Sequence, residues 1–130
     1  MVEEAKAGAL TRWPVELRLA KDKRTLTVTY EDDVHILPAE YLRVSSPSAE
    51  VRGHGPGQAK TVAGKQDVCI LSIEMVGNYA VRLVFDDMHS SGIYTWSYLD
   101  ELGREQNERW DAYLKELESK GLTRAPAIRR

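Results

Sequence analysis

The run from Ile73 to Leu99, IEMVGNYAVRLVFDDMHSSGIYTWSYL, decides the fold of this chain. Val68 to Met75 and Ala80 to Phe85 are both rich in Val, Ile and Leu. Gly77-Asn78 between them tolerates the positive φ that a tight hairpin demands, so the two runs pair antiparallel. In the second strand, period-two alternation sends Val81, Leu83 and Phe85 to the core and Arg82 to the wetter face. Asp86 to Gly92 is a polar turn carrying His89. Ile93 and Tyr94 resume pairing, and Thr95 is placed to cap a helix that begins at Trp96.

Working back from this run, Val15 to Leu19 alternates strictly and reads as a half-buried strand. Lys21 to Arg24 is a charged turn. Thr25 to Tyr30 and Val34 to Leu37 make a second hairpin around Glu31-Asp32-Asp33, with Leu26, Val28 and Tyr30 on one face. Pro38 stops the strand and starts a short helix, Ala39 to Arg43, that offers Tyr41 and Leu42 to the core. Working forward, Trp96 to Leu102 is a short helix closed by Gly103 as a left-handed terminator. Glu105 to Lys120 is the longest helix, with Trp110, Tyr113, Leu114 and Leu117 at the spacing of one buried face, and Gly121 ends it.

These elements predict an α+β domain: antiparallel hairpins forming a small sheet or open barrel, a short helix after the first hairpin, and a long C-terminal helix packed on the sheet. One domain spans residues 13–121. Residues 1–12 and 122–130 read as flexible ends, with Arg124, Arg129 and Arg130 in the latter. Residues 45–66 lose all apolar periodicity and read as a mobile loop centred on Gly53-His54-Gly55-Pro56-Gly57. Ala59 to Gln66 falls short of a phosphate-binding loop, because Ala59 replaces the first Gly, Gln66 replaces the final Ser/Thr and no strand precedes it.

Composition narrows the function classes. A chain of 130 residues with 42% apolar and 29% charged residues is that of an ordinary globular domain. A net charge of -2 argues against a partner recognised by phosphate neutralisation, so nucleic acid is disfavoured. No apolar run is long enough to span a membrane and no leader-like segment opens the chain, so a cytoplasmic location is expected. The single cysteine, Cys69, lies in a strand and reads as a small buried hydrophobe.

The residues with chemistry are few. His89 beside Asp86 and Asp87 suits a metal ligand or an oriented base, with a turn residue bonded to backbone as the plainer reading. His54 between glycines suits close approach to a ligand or a simple turn. His35 reads as cross-strand packing. Arg43 with Arg52 and Lys60 suits an anion or reads equally as ordinary surface charge. Ser46 lacks both a nucleophile elbow and a partner base.

The run LRVSSPSAEVRGHGPGQ from Leu42 to Gln58, preceded by Tyr41, together with Asp86 to Ser91 and Trp96 to Leu99, resembles the gamma-butyrobetaine hydroxylase N-terminal-like domain family in a small stand-alone bacterial form. The likeness covers nearly all of residues 13–103. In the hydroxylases, the resemblance implies, this domain precedes an iron and 2-oxoglutarate oxygenase domain and holds a structural zinc through a Cys-x-Cys-x-x-Cys run and a later His. Related copies are fused to ATPases associated with iron-sulfur cluster assembly. Here the ligand positions fall on Ser46, Ser48, Val51 and His89, and only the last is a good zinc ligand. Neither zinc nor another cofactor is therefore expected, and no room remains for an oxygenase barrel.

The resulting expectation is a non-catalytic accessory domain that docks on a protein partner, an oxygenase or iron-sulfur assembly protein, or on a second copy of itself. Its expected surface comprises Arg43, Ser46, Ser48, Glu50, His54, Asp86, Asp87 and His89. Two alternatives stand beside it. One is a metal-binding protein using His89, His54, Asp86 and Asp87. The other is a small enzyme with His89 as base and Arg43 as anchor for an anionic substrate.

Overall fold

The computed structural model describes residues 13–48 and 61–126. The expected frayed start, the centre of the long loop with Glu50, Val51, Arg52, His54 and Lys60, and the last four residues lie outside the described residues.

Two three-stranded antiparallel sheets form the framework. The first holds β1 (Glu16–Leu19), β2 (Thr25–Thr29) and β3 (Val34–Pro38) in that order. Its alternation is clean: Leu26 and Val28 of β2 and His35 and Leu37 of β3 are buried, while Val34 and Ile36 face outward. The short helix α1 (Ala39–Val44) follows directly. The second sheet holds β4 (Ile70–Val76), β5 (Ala80–Phe85) and β6 (Ile93–Thr95), with β5 central. Val81, Leu83 and Phe85 are all buried, as the alternation requires. Gly77 takes φ +54 at the hairpin. A bulge between Ile70 and Ser72 breaks the β4 register, and Leu71 there is largely exposed.

Helix α2 (Trp96–Arg104) starts where β6 stops, and the Thr95 hydroxyl accepts the Tyr98 amide at 3.1 Å as the expected cap. The inner faces of both sheets share one core with Tyr41, Leu42, Leu99 and Leu102 from the helices. Tyrosine hydroxyls close buried helix-end carbonyls within it: Tyr41 donates to the Leu102 carbonyl at 2.7 Å and Tyr94 to the Leu42 carbonyl at 2.5 Å. Burial pushes both phenols well above their ordinary range, so they remain donors.

Three local expectations are corrected. Gly103 does not end α2 in a left-handed turn; it lies inside the helix, where a Cβ would overlap the His35 imidazole. His35 is more than cross-strand packing: its Nε2 lies 2.9 Å from Asp100 Oδ1, tying β3 to α2 across the core. The final helix α3 (Gln106–Ser119) buries less than its spacing implies, since only Leu117 is buried and Leu114 is exposed. Trp110 packs on the core beside Tyr41, while Tyr113 turns to residues 61–66, its hydroxyl donating to the Val62 carbonyl at 2.6 Å.

Candidate functional site

The turn between β5 and β6 folds down onto the end of α1, and this brings together five of the eight expected surface residues. Asp87 sits at the centre. Its Oδ2 accepts Arg43 Nε at 2.8 Å and Lys65 Nζ at 2.6 Å, and its Oδ1 accepts the His89 amide at 3.2 Å. Burial alone would raise the Asp87 carboxyl, but the hydrogen bonds from Lys65, Arg43 and the His89 amide, with the Arg43 charge, hold it below its ordinary value.

His89 is buried, with Nε2 2.9 Å from Ser46 Oγ. This corrects the expectation that Ser46 has no partner base, since the His89 imidazole stands within hydrogen-bond reach of its hydroxyl. Ser46 Oγ also accepts the Ser48 amide at 3.3 Å, and Ser48 Oγ lies 2.8 Å from Ser91 Oγ. Gly92 makes the approach feasible, because a Cβ there would overlap Ser46 Oγ. Ser46 and Ser48, expected in a mobile loop, are both buried. Asp86 does not join the cluster; it is exposed and accepts the Cys69 amide at 3.1 Å. Burial pushes the half-buried Cys69 thiol up, away from reactive thiolate. Glu50 and His54 lie outside the described residues. Lys65, Ser91 and Gly92 also belong to the cluster; Ser91 falls in the run that carries the resemblance and Gly92 in the polar turn, whereas Lys65 carries no local motif that would mark it.

Arg43 Nε is bonded to Asp87 and His89 Nε2 lies against Ser46, while Arg43 Nη1 is buried without a hydrogen-bond partner. The neighbouring cleft of about 390 Å³, bounded by Ala63, Lys65, Val68, Asp86, Asp87 and Pro126, is lined by neither Arg43 nor His89. Among the described residues no three His, Cys, Asp or Glu side chains gather as a metal site would require. Two neutral serine hydroxyls and one imidazole already bonded to a hydroxyl are not a zinc donor set. No described helix is long and apolar enough to cross a membrane.

Asp87 yields a pH prediction. Its folded value lies below the unfolded one, so its stabilisation is present above the ordinary carboxylate range, about pH 4, and fades as pH falls through the lower folded value. Asp87→Asn should lower stability at pH 7 and flatten its decline below about pH 4, read by urea unfolding across pH. An unchanged acid limb would mean that Asp87 is solvated.

No curated protein matches the chain. Two solution NMR structures are similar at 45% and 40% identity, with TM-scores of 0.79 and 0.76; each alignment covers 92% of this chain, and 94% and 90% of the other. A crystal structure of a protein of unknown function in the DUF971 family from Acidithiobacillus ferrooxidans is 36% identical over 69% of this chain and 91% of that one, with a TM-score of 0.58. The family model described as gamma-butyrobetaine hydroxylase-like, N-terminal, matches residues 17–100, which include all of both sheets except Glu16 and all the described residues of the turn cluster. The chain therefore belongs to the gamma-butyrobetaine hydroxylase-like, N-terminal family.

Proposed function

We propose that this domain is a non-catalytic docking module and that the turn between β5 and β6 is its contact point. The observation that carries the reading is Met88. It is 91% exposed and holds φ +74, a left-handed conformation costing a side-chain-bearing residue about 1–2 kcal/mol. Its neighbours Asp87 and His89 bond inward, so the turn spends its polar chemistry on its own rigidity and presents a flexible thioether outward. A pinned apolar knob suits recognition better than reaction. The partner, an oxygenase or an iron-sulfur assembly protein in the cytoplasm, is the one the family resemblance implies. In this reading the Ser46–His89 and Ser48–Ser91 bonds do the bracing that zinc does in relatives with cysteines.

The test is a titration of the isotope-labelled chain with a purified iron-sulfur assembly ATPase and with a purified oxygenase. Amides of residues 86–91 should shift with one of them, and Met88→Asp should weaken binding by about tenfold or more. Binding indifferent to Met88→Asp would remove the turn as the contact. Stoichiometric zinc in native mass spectra would favour a metal protein instead.

A stability prediction accompanies it. Met88→Gly should stabilise the fold by about 0.5–1 kcal/mol, because glycine adopts φ +74 without a Cβ penalty. A loss in urea unfolding would show that the Met88 side chain is held by contacts rather than strained.

A further inference from the structure

The end of the described chain, expected as a solvated tail, is anchored. Gly121, at φ +66, turns the chain out of α3, and a Cβ there would meet nothing within 4 Å. The chain then returns across residues 64–66: the Gly64 amide donates to the Thr123 carbonyl at 2.9 Å and the Gln66 amide to the Arg124 carbonyl at 3.0 Å. The Arg124 side chain lies on Glu40, with Nε 2.9 Å from Oε2 and Nη2 2.7 Å from Oε1. Its guanidinium carbon stands 5.3 Å from the centroid of the Trp110 ring.

The two halves of this contact are unequal. Glu40 is only 6% exposed and sits in α1, whereas the Arg124 side chain is 38% exposed and belongs to a terminal strap. A buried carboxylate facing an aromatic ring, filled by a fork of two parallel N–H donors, is a receptor for a guanidinium. Clefts of about 310 and 330 Å³ flank the pair and share Pro38, Glu40 and Arg124 in their linings.

We propose that Glu40 and Trp110 form a binding site for an arginine side chain carried on an extended segment of a partner protein, and that Leu122 to Pro126 is its resident intramolecular competitor. An incoming segment can copy every contact of the strap, two carbonyls onto the Gly64 and Gln66 amides and one guanidinium onto Glu40. Exchange is favoured over simple opening, since an emptied cradle would leave the Glu40 carboxylate buried without its cation. The tether gives the strap a high effective concentration, so the site answers only to a segment that binds better than the chain's own. Lysine is a poor substitute, having neither the fork nor the flat face. The site adjoins the turn around Met88 through Lys65, which lies between the Gly64 and Gln66 amides and is bonded to Asp87.

The test uses the full-length Arg124→Ala variant and the capped peptide Leu-Thr-Arg-Ala-Pro, followed by the amide signals of Gly64 and Gln66 and the indole signal of Trp110. Saturable binding is expected, about tenfold weaker for a lysine peptide and for the variant that also carries Glu40→Gln. Equal binding of the two peptides, indifference to Glu40→Gln, or no binding at all would overturn the proposal. Should Arg124→Ala fail to fold, excess arginine peptide added to the wild-type chain should shift the Gly64, Gln66 and Gly121 amides together, and unmoved signals would overturn it. A wild-type dimer in sedimentation that disappears in a folded Arg124 variant would put a second copy's strap in the cradle and overturn the partner assignment.

Discussion

Gly103→Ala should destabilise the domain by about 2 kcal/mol, against the direction that helix propensity alone dictates. Inside a helix, alanine is favoured over glycine by about 1 kcal/mol. Position 103 lies within α2, so an exposed-helix argument expects a gain. The added methyl, however, would overlap three atoms of the His35 ring. The ring cannot step aside. Asp100 holds one edge through Nε2, and Tyr30 packs edge-on with ring centroids 5.6 Å apart. Forcing a methylene-sized group into such a core costs about 1–3 kcal/mol, occasionally more, which outweighs the propensity gain. Urea unfolding measures the difference. His35→Ala in the same chain should cost less beside Gly103→Ala than it does alone, because the truncation also relieves the overlap. A Gly103→Ala variant as stable as wild type would mean that the imidazole has another place to go.

Asp100→Ala should cost about 3 kcal/mol. The Asp100 and His35 side chains are 8% and 7% exposed, so neither reaches enough water to replace its partner. Truncating the carboxylate leaves the imidazole buried without its bond, and removing one partner of such a pair costs about 3–5 kcal/mol when it is charged and about 1–3 kcal/mol when it is neutral. Arg104 also approaches Asp100, at 3.4 Å, but its side chain is largely exposed. Arg104→Ala should therefore cost less than about 1 kcal/mol. The contrast separates a tie between β3 and α2 from an ordinary surface pair. A double-mutant cycle on His35 and Asp100 with no coupling would show that the tie contributes nothing.

The sequence made the strands readable because their signal is local. Each strand of the hairpins carries its own alternation, and Gly77 marks its own turn. What bridges distant segments carries no such mark. His35 and Asp100 stand 65 positions apart, and nothing in either neighbourhood names the other. Gly103 was misleading for a physical reason: a glycine that ends a helix and a glycine that admits a neighbouring ring look the same in one dimension. Leu114 falls on the expected apolar stripe of α3 yet stays partly exposed, while Tyr113 of the same stripe turns to the Val62 carbonyl. At the candidate site, the family pattern aligned Ser46 and Ser48 with His89 as members of one constellation, and the structure brings them together. Their bonding was not legible, because it depends on Ser91, Gly92 and Lys65, whose positions only the folded chain defines.

The tyrosine hydroxyls bear on how the domain is synthesised. Tyr41, from the first half of the chain, completes a carbonyl of α2 in the second, while Tyr94 and Tyr98 from the second half complete the Leu42 and Ser45 carbonyls of the first. Each half thus waits for the other before its buried helix ends are satisfied, and an unpaired buried carbonyl is costly to either fragment. A nascent chain that has delivered only the first sheet gains little by settling early. The three bonds therefore link the two halves into one unit, each half supplying donors that the other lacks.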